Sequence, residues 1–221
     1  TNVQAIDYDT ATIEHANRRY GASENLIFQQ ADVTALDALP DESFDVIVSF
    51  ETLVHVMEHD RMLAGFQRLL NPGGVLLIST PDKANYSDAA GTVNPHHVRE
   101  LYFDEFSNLL DKFFPAKKIY TQKLLFQSSL WALDETGGVE ALIHSDAGIE
   151  QGLNYLPMYY VAVCANSKST LASLPALSLY GDEEESIYKH YYHEIRNGIW
   201  ASQRIAELER QLAALTTTRG T

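Results

Sequence analysis

The stretch that decides the fold is ADVTALDALPDESFDVIVSFETLVHV, residues 31–56, taken together with FQRLLNPGGVLLISTPDK, residues 66–83. Within the first, FDVIVSF (44–50) has the near-continuous apolar content of a buried parallel strand. Within the second, VLLIST (75–80) is a further strand. Between the two, Met62, Phe66, Leu69 and Leu70 mark one face of a helix, and NPGG (71–74) predicts its stop. Upstream, VQAI (3–6) predicts a short strand ending at Asp7. A helix follows, with Asp9 or Thr10 as cap, Ile13, Ala16 and Tyr20 along its apolar face, and Gly21 as stop. NLIFQQ (25–30) predicts another strand, leading to Asp32. Strands alternating with helices imply an α/β fold: a three-layer sandwich around a mostly parallel sheet.

Downstream, residues 81 to about 100 form a loop rich in Asn, Asp, Gly and Pro. A helix from Phe103 turns Phe106, Leu109, Leu110 and Phe113 inward and ends before Pro115. Two further strands are expected near 118–126 and 158–165, with an irregular insertion between them containing Gly137, Gly138, Gly148 and Gly152. Three parts follow: a domain at 1–166, a linker at 167–181 and a helical C-terminal extension at 182–221. In the extension, Ile205, Leu208, Leu212 and Leu215 have the 3-4-3 spacing of a short coiled-coil seam. Tyr192, Ile195 and Ile199 form another apolar face, with Gly198 breaking the phase between them. The expectation is a helix whose first part docks on its own domain and whose last turns meet a second copy, in a homodimer.

The chain has 221 residues and a net charge of −14. That charge argues against nucleic acid or an anionic membrane surface as partner, because phosphates need a basic face. The one cysteine, Cys164, lies in an apolar run and reads as buried packing in a reducing compartment. With no leader pattern and no long uncharged apolar stretch, the expected address is cytoplasmic.

Ligands of open parallel sheets bind beyond the carboxyl ends of the strands. Three pairs collect there: Asp7 with Tyr8, Asp32 with Val33, and Phe50 with Glu51. A strand-end carboxylate can take both hydroxyls of a ribose. A second one can accept from an exocyclic adenine amine, and an aromatic or branched neighbour can sandwich the purine. The three blocks VQAIDYDTATIEHANRRY, ADVTALDALPDESFDVIVSFETLVHV and FQRLLNPGGVLLISTPDK together resemble class I S-adenosylmethionine-dependent methyltransferases acting on small molecules. The resemblance is close over about 3–115 and looser through MYYVAVCA (158–165). It implies S-adenosylmethionine as cofactor, with Asp7 on the ribose, Tyr8 and Val33 flanking adenine, Asp32 at the adenine amine and Phe50 near the methionyl part. Such domains open with a strand running into a G-x-G loop, placed at the centre of the sheet between the strands at Val3 and Phe44. Only Thr1 and Asn2 precede Val3 here, so the chain reads as a fragment expected to bind the cofactor weakly or not at all.

Two histidine clusters stand out. HVMEH (55–59) matches the H-x-x-E-H pattern of a zinc peptidase class, but it falls in the ordinary post-strand block of methyltransferases, so no metal is expected. NPHHVRELYFDEF (94–106) resembles a segment beside the active-site mouth, and there His97 is the candidate general base. The expected function is methyl transfer to an oxygen, or a nitrogen, of a small molecule or sugar. The last strand and acidic tail loosely resemble methyltransferases found alongside glycosyltransferases, which points to a glycan precursor. The competing reading is a non-catalytic assembly module of a larger glycan-modifying protein, recruiting partners through its helical tail.

Overall fold

The computed structural model describes residues 1–91, 93–125, 138, 140–145, 148–179 and 184–218. Two compact units emerge, Thr1–Leu174 and Pro175–Thr221. The first unit takes in residues 167–174 of the expected linker. A 3₁₀ turn at Lys168–Leu171 buries Leu171 against Ala116, Val163 and Ala165, which fastens that stretch to the sheet.

In the first unit, β1 (Val3–Asp7) and β2 (Leu26–Gln30) pair in parallel, in register from Val3↔Leu26 to Asp7↔Gln30. Helix α1 (Thr10–Tyr20) makes the crossover between them. The Asp9 carboxylate caps it by accepting from the Thr12 amide at 2.8 Å, and the Gly21 N–H closes it on the Asn17 carbonyl. Of the expected apolar face, Ile13 is buried, whereas Tyr20 is exposed with its ring 6.5 Å from that of Phe28.

A second sheet holds β3 (Phe44–Ser49), β4 (Leu70–Pro81), β8 (Tyr159–Ala165) and β5 (Ala116–Gln122), in the order β3-β4-β8-β5. The β3–β4 pair is parallel, and β8 runs antiparallel to both of its neighbours. The architecture is therefore the expected mixed α/β, Rossmann-like one. Within the insertion, β6 (Leu142–Ser145) and β7 (Gly148–Gln151) form an antiparallel hairpin where irregular chain is predicted; Gly137 and 126–136 lie outside the described residues. No helix among the described residues is long and apolar enough to cross a membrane.

Helix α2 (His59–Leu69) buries Met62, Leu63, Phe66 and Leu69, and α3 (Phe103–Asp111) buries Phe106, Leu109 and Leu110. These side chains meet Leu76 and Ile78 of β4 and Ala162 and Cys164 of β8 in one core, with Ile47 of β3 packed against it. Burial pushes the Cys164 thiol up to about 12. The expectation of a fully buried β3 is corrected in part. Val46 and Val48 are 52% and 58% exposed, because the core covers only the face that carries Ile47 and Ser49. Among the described residues, β1 and β3 each have a strand partner on one side only.

The NPGG turn also differs from its reading. Helix α2 stops at Leu69, and β4 starts at Leu70, so Asn71, Pro72, Gly73 and Gly74 lie inside the strand and open an irregularity in its pairing with Phe44 and Val46. A Cβ on Gly74 would stand 3.0 Å from the Phe44 and Asp45 carbonyl oxygens and from Leu70 Cδ2; one on Gly73 would meet nothing within 4 Å. Gly74→Ala is accordingly expected to destabilise the fold by about 1–3 kcal/mol, while Gly73→Ala leaves it nearly unchanged. Paired urea titrations check this as a lowered midpoint in the first variant alone.

Candidate functional site

Parallel pairing brings the carboxyl ends of β1 and β2 side by side, and the Ala31 amide donates to the Asp7 carbonyl at 2.9 Å. Asp7 and Asp32 therefore sit on neighbouring chain ends at one edge of the fold. Each uses one carboxylate oxygen locally. Asp7 Oδ1 accepts from the Asp9 amide at 2.8 Å; Asp32 Oδ1 accepts from the Thr34 amide at 2.8 Å and the Thr34 hydroxyl at 2.7 Å. The Thr34 amide and then its hydroxyl hold the Asp32 carboxyl below the usual carboxylate range. Both carboxylates face solvent. The Tyr8 ring is 75% exposed beside them, and Val33 is half-buried with its side chain against the core.

A second group forms where β3 and β4 end. Phe50 is exposed there, and Glu51 has a left-handed backbone with φ 53°. A non-glycine residue in that region costs roughly 1–3 kcal/mol and persists only when its surroundings fix it. The fixing group is Ser79 on β4: its hydroxyl accepts from the Glu51 amide at 3.0 Å and donates to Glu51 Oε1 at 2.5 Å. Because β8 is antiparallel, its first residue Tyr159 pairs with Pro81, the last of β4. Tyr159 thus reaches the same end. Its ring lies 5.8 Å from that of Tyr86, and its phenol is pushed up by burial first, then by Tyr86 and Glu51. Tyr86 in turn stacks on His97 at 5.5 Å, and His97 meets His55 edge-on at 5.3 Å.

His97 is held at both ring nitrogens. Nδ1 is 2.5 Å from Glu100 Oε1, and Nε2 is 3.0 Å from the Asn94 side-chain amide nitrogen. The His96 amide donates to Asn94 Oδ1, which turns the Asn94 NH₂ toward the imidazole. In this geometry Nδ1–H can donate to the Glu100 carboxylate while Nε2 accepts from the Asn94 amide.

The HVMEH histidines fall in separate elements. His55 closes a 3₁₀ turn (Leu53–His55) and places Nδ1 2.8 Å from the His96 carbonyl oxygen, whereas His59 opens α2. The buried His59 Nε2–H donates to the Leu53 carbonyl at 2.9 Å, and Nδ1 is buried without a partner. Burial lowers its pKa below the ordinary 6.5.

Tyr86 and Tyr159 go beyond the residues picked out in the sequence, whereas Glu51 was paired there with Phe50 and His55 belonged to the HVMEH cluster. Glu51 carried a strand-end signal; the two tyrosines carried none, because only the antiparallel return of β8 brings Tyr159 to this end.

Against known proteins, residues 1–78 match the family described as "Methyltransferase domain". A "Probable S-adenosylmethionine-dependent methyltransferase" of Mycobacterium tuberculosis is 38% identical over 109 residues, covering 49% of this chain and 38% of the relative. Phosphoethanolamine N-methyltransferase 1 of Arabidopsis thaliana is 38% identical over 79 residues, covering 35% of this chain and 16% of that protein. The chain thus spans well under half the length of these relatives. Among solved structures, the YcgJ protein of Bacillus subtilis shares the fold with a TM-score of 0.51 at 16% identity, over 75% of this chain and 83% of that one. An S-adenosylmethionine-dependent methyltransferase from Archaeoglobus fulgidus gives 0.50 at 13% identity, over 73% and 74%.

The lowered pKa of His59 fixes the sign of one pH effect. The unfolded chain takes up the proton first, so the stabilisation is complete above about pH 6.5 and is lost as pH falls toward the lowered folded value. Between roughly pH 7.5 and pH 5.5 the wild type is expected to lose more unfolding free energy than His59→Gln, measured by urea titration at both pH values.

Proposed function

Since residues 1–78 match a methyltransferase-domain family and the chain shares its fold with a solved S-adenosylmethionine-dependent methyltransferase, we propose that this protein is an enzyme moving a methyl group from S-adenosylmethionine to a small molecule. The observation that carries the reading is the pair of exposed carboxylates, Asp7 and Asp32, on adjacent parallel strand ends with an exposed aromatic beside them. Those residues fit the adenosine half of the cofactor. Asp7 takes the ribose hydroxyls, Asp32 takes the adenine amine, Tyr8 and Val33 line the purine, and Phe50 stands near the methionyl part. When bound, the cofactor supplies an electrophilic methyl carbon on a sulfonium.

The acceptor is an oxygen, or a nitrogen, of a small molecule or sugar. Support comes from the group where β3 and β4 end: one carboxylate, two phenols and two imidazoles, a set suited to hydrogen-bonding a hydroxyl. His97 takes the acceptor proton. Glu100 already holds its Nδ1–H, the orientation that leaves Nε2 as the base, and the acceptor hydroxyl displaces the Asn94 amide from Nε2. Holding acceptor and cofactor in line supplies the larger part of the rate.

Asp7→Ala is expected to weaken S-adenosylmethionine binding roughly tenfold or more, the loss of one or two hydrogen bonds from the carboxylate. Ligand-detected NMR titration measures this even where binding is weak; an unchanged affinity sinks the ribose assignment. His97→Ala and Glu100→Gln should lower kcat while leaving cofactor affinity within about twofold. Turnover unchanged in both variants removes His97 as the base.

A further inference from the structure

The extension is one uninterrupted helix, α4 (Ser186–Thr218), 33 residues long. At 1.5 Å per residue it spans about 50 Å. Gly198 does not break it, so both apolar faces expected from the sequence ride on a single rod; the side chains of Tyr192, Leu212 and Leu215 lie outside the described ones. Ile195, Ile199 and Trp200 are exposed, and on the seam Ile205 and Leu208 are 57% and 47% exposed. A helix of this kind draws most of its stability from packing an apolar face, so a bare seam calls for an occupant.

Charge points to what that occupant is. In the seven-residue frame, Ile205 and Leu212 take one core position and Leu208 and Leu215 the other, with Gly198 and Ala201 continuing the same line toward the N-terminus. Arg204 then falls at the flanking position just ahead of Ile205, and Glu209 just behind Leu208. In a parallel pair of identical helices, those two flanks face each other across the seam. Arg204 of each helix meets Glu209 of its twin, giving two opposite-charge pairs. An antiparallel pair sets like flanks together instead. The nearby charges are already engaged on the outer surface, where Arg210 and Glu207 form an i,i+3 ion pair at 2.8 Å. No ion pair involves Arg204 or Glu209 among the described residues, and both are exposed.

The wider charge pattern agrees. The helix carries four Lys or Arg (Lys189, Arg196, Arg204, Arg210) against three Glu (Glu194, Glu207, Glu209), whereas the rest of the chain carries 12 Lys and Arg against 27 Asp and Glu. The helix is thus close to charge-balanced in an otherwise acidic protein, so a second copy meets little net repulsion along it. We propose that α4 pairs in parallel with the α4 of a second copy, through Ile205, Leu208, Leu212 and Leu215, and that Arg204 and Glu209 set the register and direction.

Sedimentation velocity over a concentration series tests this on the full chain. The wild type should dimerise, and Arg204→Glu and Glu209→Arg should each raise the dimer dissociation constant at least tenfold. An equimolar mixture of the two variants should restore a dimer. In the mixed pair the glutamate introduced at position 204 faces the arginine introduced at position 209, and the native Glu209 of one chain faces the native Arg204 of the other. Far-UV circular dichroism of each variant reports whether the helix persists, and recovery in the mixture separates loss of pairing from loss of folding. A wild type that stays monomeric at every concentration overturns the proposal. So does a wild-type dimer that Arg204→Glu leaves intact.

Discussion

Strand β4 is hydrogen-bonded on both sides, to β3 in parallel and to β8 in antiparallel, and most of the first unit is organised by that double pairing. One face of the strand sends Leu76, Ile78 and Thr80 into the core beneath α2 and α3; all three are fully buried. The other face delivers Ser79 to Glu51. Its end sets Asp82, itself buried, where the carboxylate accepts from the Asn85 side chain and helps burial push the Tyr160 phenol up to about 12. The antiparallel neighbour is what returns Tyr159 to the end where Glu51 and Tyr86 lie. A change in β4 register would therefore move core and candidate site together.

Pattern in the sequence exposed those elements whose signals are local. The Asp9 cap and the Gly21 stop of α1 are chemistry between near neighbours, and so is the run of buried positions on α2 and α3. NPGG misled because Pro and Gly signal a break wherever they occur. Here the break is met by strand pairing to Phe44, and Gly74 admits the close approach of two carbonyls. The hairpin of β6 and β7 went unseen because four-residue strands have too few alternations to stand out.

The site divides the same way. Asp7 and Asp32 were legible because a carboxylate directly after a strand is a short-range pattern, and the parallel register makes them neighbours. The group around Glu51, Tyr86 and Tyr159 was not, because its members lie on three elements distant in sequence and meet only through the sheet order β3-β4-β8. His97 was found by its motif, but its Glu100 and Asn94 partners, which decide its tautomer, came from the loop geometry.

The open face of β3 has a consequence for handling the protein. FDVIVS is a short segment of high strand propensity with one charge and no proline, and it shows Val46 and Val48 to solvent along an edge that no described strand covers. Segments of this composition template further strands by backbone pairing, and natural sheets guard such edges with lysine, proline or a bulge. Asp45, bonded to the Asn71 side chain, puts a charge on the strand beside the irregular pairing of Phe44 and Val46. An uncovered edge of this kind is a template for edge-to-edge pairing between copies, and a strand or partner laid along β3 would remove that hazard.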